Sequence, residues 1–230
     1  MAINPNNRLE AKHCAYTAMT GGGKGVAVQN MRFIPENPCL AIFDPYREYE
    51  FKRGQKHSGF RGKKVHRYKT RRNFAKAFVQ AWSSDKPFYI AYSPNKPTRE
   101  DMLWFCSLMW EASDGKRELH MLIEELAKYS LGAGAEPADS PLAECATGGR
   151  KFGLVLHVTF QTPTEVSKTI TKQMPYKVVG PQEALSECKR MASEIDKAPE
   201  DLGRLKKCEY WVKSPGWGNV KFTSLRYLFT

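Results

Sequence analysis

Between His13 and Phe33 an extended-looking segment, three consecutive glycines with a lysine, and a helix-compatible segment follow one another. That order restricts the fold more than any other stretch. A strand must stop, the chain must turn tightly, and a helix must begin, all around Ala18-Met-Thr-Gly-Gly-Gly-Lys-Gly25. Backbone N–H groups free of side-chain bulk can converge on phosphate oxygens at a helix start, and Lys24 adds a point charge for the outer phosphates. Thr20, Gly21, Gly22, Gly23, Lys24, Gly25 and Val26 are therefore the candidate nucleotide-binding residues. Against the pattern G-x-x-x-x-G-K-[ST], Ala18 replaces the first glycine and Gly25 the hydroxyl residue that normally ligates Mg2+. An ordinary glycine turn is the alternative for the loop taken alone.

The remainder of the chain repeats the alternation. Residues 39–44, 64–68, 87–92, 118–123, 152–160 and 175–179 read as strands, several of them continuous apolar runs of the kind buried on both faces. Helical spacing marks 71–82, 98–112 and about 182–195, and Thr162-Pro163-Thr164 opens another helix. Thr98 and Asp101 predict a capping box. Such alternation implies a mostly parallel sheet with right-handed crossovers in an α/β three-layer sandwich. A tail hairpin over 206–228 is expected around Pro-Gly-Trp-Gly-Asn, and 131–149, rich in Gly, Ala, Pro and Ser, reads as a long flexible loop or a partly ordered insertion.

At 230 residues and 41% hydrophobic content the chain is most economically a single domain, 1–230, with a core over 13–172. No apolar run approaches the ~18 residues needed to span a bilayer, and the start lacks the apolar core of a secretory signal, so a cytoplasmic, non-transmembrane protein is expected. Six scattered cysteines without a C-x-x-C pair and five histidines form no metal-ligand spacing. The net charge of +12 is concentrated: ten Lys and Arg residues and no acid lie between Phe51 and Asn73, which leaves +2 for everything else. A basic segment of this kind suits a polyanion, with a solvated charged face as the alternative. Lys63, Lys64, Arg67, Arg71 and Arg72 are the DNA-binding candidates, and 131–149 a second one.

In parallel sheets ligands bind outside the carboxyl ends of strands. The glycine loop, Asp44, the adjacent Glu124 and Glu125, and Gln161 each follow a separate predicted strand. These are the parts of nucleoside triphosphate hydrolysis: donors for the phosphates, an acid for Mg2+, a carboxylate to orient the attacking water, and an amide to sense the γ-phosphate. Because successive strand residues face opposite sides, Glu124 is assigned to the metal and Glu125 to the water. A surface acidic pair and an amide cap form the alternative reading.

Four stretches resemble the HerA/FtsK superfamily of hexameric DNA-translocating ATPases, in the family's order: the glycine loop as Walker A, Leu-Ala-Ile-Phe-Asp44-Pro45-Tyr-Arg-Glu48-Tyr49 as the D-P-x-G-E-Y stretch, His-Met-Leu-Ile-Glu124-Glu125 as Walker B, and the strand ending Gln161-Thr-Pro163 as the sensor. The small size looks most like the genome-packaging ATPases of membrane-containing, double jelly-roll icosahedral viruses of the tectivirus and corticovirus type. The resemblance implies a RecA-like P-loop NTPase fold and ATP with Mg2+. It also implies a hexameric ring at a virion vertex that drives viral DNA into a preformed procapsid, in contact with the capsid and small viral membrane proteins, in the virion and the host cytoplasm. It puts Arg150 at the place of an arginine acting on the neighbouring subunit's nucleotide; a plain basic residue at a strand start is the alternative. Two departures stand out. Glu124 occupies a position usually Asp, and Gly25 removes the Mg2+ hydroxyl, which leaves Glu124, water, Thr20 or Asp44 to hold the metal. Other readings are a filamentous-phage-type, Zot-like assembly ATPase, which usually adds a transmembrane segment, a nucleotide-dependent switch or structural vertex protein with little turnover, and a basic nucleic-acid-binding module without nucleotide chemistry.

Overall fold

A computed structural model describes residues 6–55 and 58–226. In chain order the strands are β1 (Cys14–Thr17), β2 (Cys39–Phe43), β3 (His66–Tyr68), β4 (Phe88–Tyr92), β5 (Leu119–Ile123), β6 (Leu154–Phe160), β7 (Tyr176–Val179), β8 (Glu209–Lys213) and β9 (Val220–Ser224). The helices are α1 (Lys24–Asn30), α2 (Arg71–Ser83), α3 (Arg99–Ala112), α4 (Pro141–Thr147), α5 (Lys168–Lys172), α6 (Leu185–Glu194) and α7 (Pro199–Gly203). Two compact units divide them. The first holds residues 34–124 and 137–156 with the stretch up to Ala11, and the second 12–33, 125–136 and the chain from His157 on.

In the first unit β3, β4, β2 and β5 lie side by side in that order, all parallel. Helices supply the crossovers, and their caps are legible in the sequence. Thr70 accepts from the Asn73 N–H at the start of α2, and Thr98 with Asp101 forms the expected capping box of α3. Phe74 and Phe78, one turn apart on α2, are buried. Phe74 sits within 6.3 Å, centroid to centroid, of Tyr68, Phe78, Tyr92, Trp104 and Phe105, so one ring joins α2, α3, β3 and β4.

The stretch 131–149 is not a continuous flexible loop but a partly ordered insertion. Residues 141–147 form α4, opened by Ser140, whose side chain accepts from the Ala143 N–H, with proline in the first turn. Leu142, Ala143, Cys145 and Ala146 are buried, and the Cys145 thiol lies 3.5 Å from the Cys106 carbonyl of α3. Small apolar residues that read as loop composition are what let the two helices approach closely. The Pro163 turn is likewise a short 3₁₀ segment rather than the start of a helix. The α-helix begins after Ser167, whose side chain accepts from the Thr169 N–H.

In the second unit the His157–Phe160 part of β6, then β1, then β7 are parallel, and β8 and β9 continue from β7 antiparallel as the C-terminal hairpin. The described part of that hairpin agrees with the expected 206–228; its last residues, like Lys56 of the basic segment and the first five residues, lie outside the described ones. Loss of the Phe74 ring should destabilise the first unit severely. Phe74→Ala is expected to cost about 3–5 kcal/mol in a urea unfolding titration, as for other fully buried aromatics, whereas Val79→Ala, on the exposed side of the same helix, should change stability by about 0.5 kcal/mol or less.

Candidate nucleotide site

The glycine loop lies wholly in the second unit, between β1 and α1. Gly21 and Gly23 adopt positive φ (72° and 103°), the left-handed region where a side chain is strained. The middle glycines are also enclosed. A Cβ on Gly22 would lie 3.0 Å from the Met19 carbonyl oxygen and 3.1 Å from Pro181, and one on Gly23 would lie 2.5 Å from the Tyr210 hydroxyl and 2.8 Å from the Cys208 sulfur. Gly21 and Gly25 face open space, with nothing within 4 Å of such a Cβ. The Gly22 N–H donates to the Met19 carbonyl and the Ala27 N–H to the Gly23 carbonyl. Among the described residues, the N–H groups of Gly23, Lys24, Gly25 and Val26 have no protein acceptor. Four consecutive donors on a loop with glycines at the close approaches form an anion-accepting cradle.

Three further side chains meet this loop within the same unit. The Lys24 ammonium pairs with the Glu125 carboxylate at 2.5 Å, and both side chains are largely buried. Gln161 donates to Glu125 twice, from its backbone N–H (3.0 Å) and its side-chain amide (3.1 Å). The amide oxygen of Gln161 in turn accepts from the Thr20 hydroxyl at 2.6 Å. A chain of polar contacts thus runs Thr20, Gln161, Glu125, Lys24, beginning and ending on the loop. Glu125 holds its place with a left-handed backbone (φ 55°, ψ 54°) and an N–H bond to the Thr159 hydroxyl of β6. A non-glycine residue in that region carries strain typical of functional positions. Thr159 had no signal in the sequence beyond its place on a buried strand.

The remaining candidates have partners in the first unit. Glu124 is buried and accepts a hydrogen bond from the Tyr49 hydroxyl. Asp44, 1% exposed, accepts from the Glu48 N–H (2.9 Å) and the Tyr49 N–H (3.4 Å). The Asp44-Pro-Tyr-Arg-Glu-Tyr stretch is therefore a turn closed by its own acid, with Tyr49 as the residue that sequence reading left without a role. Burial pushes the Asp44 carboxyl up to about 6, against the two backbone hydrogen bonds that lower it. Arg150 donates to the carbonyls of Asn7 (3.2 Å) and Leu9 (2.5 Å). Of the five basic candidates, Lys63, Lys64, Arg71 and Arg72 are exposed and Arg67 is half-buried. Arg67 pairs with Glu50 at 2.8 Å, and Arg71 pairs with Asp101 at 2.8 Å over the Trp104 ring.

The genome-packaging NTPase B204 of Sulfolobus turreted icosahedral virus 2, in its complex with AMPPCP, superposes with a TM-score of 0.65 at 15% identity, over 93% of this chain and 98% of that one. Its complex with ATP-gammaS gives 0.68 at 14% identity over the same shares. The bacterial conjugative coupling protein TrwB, truncated at its N-terminus, gives 0.63 at 12% identity over 96% of this chain and 86% of that one. The chain shares its fold with these two proteins. In sequence, Protein P9 of Pseudoalteromonas phage PM2 is 31% identical over 123 residues, which is 51% of this chain and 55% of that protein, so the chain spans about half the length of the curated relative it matches. No protein-family model matches the chain.

A P-loop nucleotide fits the cradle, because the free N–H groups, Lys24 and Thr20 are the donors a phosphate chain requires. For Mg2+ the fit rests on oxygen chemistry: the Thr20 hydroxyl is a hard donor on the loop, and the acids expected to hold the metal, Glu124 and Asp44, bond to Tyr49 and to the Glu48 and Tyr49 N–H groups. No group of three or more His, Cys, Asp or Glu side chains able to hold a metal exists among the described residues. That set suits a cation held chiefly by substrate phosphates and water.

Two outcomes follow from this geometry. Gly23→Ala should weaken triphosphate binding by about 5- to 150-fold, given ~1–3 kcal/mol of strain, while Gly25→Ser, whose Cβ meets nothing, should bind as the parent does in calorimetric titration. Asp44 should make the fold pH-sensitive. Its folded pKa lies above the ordinary 3.8, so its carboxyl favours folding below that value, and the contribution is lost as pH rises to about 6. Unfolding free energy measured at pH 4 and pH 7 should fall by on the order of 2 kcal/mol from this group, and Asp44→Asn should flatten that part of the profile.

Proposed function

We propose that this chain is an ATP-hydrolysing DNA translocase that packages a viral genome into a preformed procapsid. The observation that carries the reading is the polar chain from Thr20 through Gln161 and Glu125 to Lys24, which starts and ends on a loop of unpartnered N–H donors. Likeness in fold to a viral genome-packaging NTPase crystallised with ATP analogues supports the choice of substrate and process. The two units act in this reading as one motor domain.

The loop N–H groups would take the phosphate oxygens, with Lys24 exchanging Glu125 for the outer phosphates. Release of Lys24 leaves the Glu125 carboxylate free to orient and deprotonate the attacking water, as a general base within reach of the γ-phosphate. Gln161, held between Thr20 and Glu125, would report whether that phosphate is present. Mg2+, when bound with the nucleotide, neutralises charge developing on the phosphate oxygens. Arg150 would serve a neighbouring subunit of a hexameric ring after releasing the Asn7 and Leu9 carbonyls. Exposed Lys63, Lys64 and Arg72 would grip DNA phosphates without reading sequence, as a motor requires. The ring's place would be a virion vertex, with capsid and viral membrane proteins as neighbours.

A second reading is favoured by one observation: Gly25 supplies no hydroxyl for the metal, which suits a nucleotide-binding switch with little turnover. ATPase assays with and without DNA separate the two. The motor predicts DNA-stimulated hydrolysis, abolished in Lys24→Ala through loss of binding and reduced by about 10²-fold or more in Glu125→Gln with nucleotide binding retained. Nucleotide binding with flat turnover in all conditions would select the switch. Absence of nucleotide binding would refute both.

A further inference from the structure

The C-terminal hairpin touches the P-loop at the two peptides whose N–H groups face the cradle. The Cys208 backbone N–H donates to the Gly22 carbonyl at 3.0 Å, and the Tyr210 hydroxyl donates to the Gly23 carbonyl at 2.7 Å. No cis peptide bond is present among the described residues, so each carbonyl points opposite to the N–H of the same peptide. Fixing the Gly22 carbonyl toward β8 turns the Gly23 N–H away from β8, and fixing the Gly23 carbonyl does the same for the Lys24 N–H. Both are among the four loop donors without a protein acceptor.

The contact is built on both sides. Cys208 takes a left-handed backbone (φ 64°), a conformation a non-glycine residue adopts at a cost. Tyr210 is fully buried; on β8 it lies opposite Thr223 of β9 and one residue before Trp211, which pairs with Val179 of β7. Gly23 has no room for a Cβ because Tyr210 and Cys208 occupy that space. Burial also raises the Tyr210 pKa, so the phenol remains a donor throughout the physiological range.

We propose that Tyr210 is a positioning residue for phosphate binding, acting through the Gly23 carbonyl to aim the Lys24 N–H at the phosphate chain. The proposal rests on the reading of the loop as a phosphate cradle. It gives the C-terminal hairpin a role in nucleotide affinity that no P-loop residue reveals by itself.

The test compares wild type with Tyr210→Phe, which keeps the ring and leaves the Gly23 carbonyl bonded to the Ala27 N–H. Affinities are measured by calorimetry for two probes, a non-hydrolysable ATP analogue and inorganic tripolyphosphate, and melting midpoints are measured without ligand. The expected result is a loss of about 3–10-fold for both probes, as for removal of one neutral hydrogen bond, with a melting curve close to that of wild type. Tyr210→Met, which fills the space without a donor, serves the same comparison if the phenylalanine variant does not fold. Unchanged affinity for both probes overturns the proposal, as does a loss matched only by global destabilisation. A wild-type protein that binds neither probe overturns the cradle reading and this proposal with it.

Discussion

The ion pair between Lys24 and Glu125 is the contact on which the candidate site depends. It joins the glycine loop to Glu125, two residues past the end of β5, and it does so largely out of water. Removing one partner of a buried pair leaves the other uncompensated, which is far more costly than the pair is stabilising. An ammonium has three donors and a carboxylate about four acceptor positions, so neither group is exhausted by the other. Glu125 uses its spare capacity on Gln161, and Gln161 returns to the loop at Thr20. Any ligand that draws Lys24 from Glu125 therefore changes every other contact in the ring.

The loop's shape has its cause behind it rather than in front. Pro181, Cys208 and Tyr210 crowd Gly22 and Gly23 from one side, while Gly21 and Gly25 have open space. Gly22 and Gly23 are required by enclosure and Gly21 by its positive φ, whereas Gly25 is bound by neither. This explains how Gly25 can stand where the usual pattern has a hydroxyl residue: the position faces outward, and its side chain is a matter of metal chemistry rather than of folding.

Much of this was legible in the sequence because it is periodic or punctuated. The alternation of apolar runs and helical spacing gave the parallel strands, Thr98 and Asp101 gave the cap of α3, and strand ends gave the glycine loop, Glu125 and Gln161 as neighbours. What was hidden is non-local. Helix α4 was masked by Ala, Cys and Gly residues whose meaning is close packing against α3, although Ser140-Pro141 is a legible start signal. Tyr49 and Tyr210 offered no pattern, since each acts through a single hydroxyl on a residue far away in the chain. Arg67 and Arg71 read as free cations because their acidic partners, Glu50 and Asp101, lie outside the run of positive charge.

The central claim is that the N–H groups of Gly23, Lys24, Gly25 and Val26 receive a phosphate chain. Amide proton and nitrogen shifts of the isotopically labelled protein, followed while a non-hydrolysable ATP analogue is added, test it most directly. Saturable shifts are expected, largest at these four amides and accompanied by the Gln161 side-chain amide as Lys24 leaves Glu125. Saturable binding that leaves those amides unmoved, or no binding at all, would contradict it.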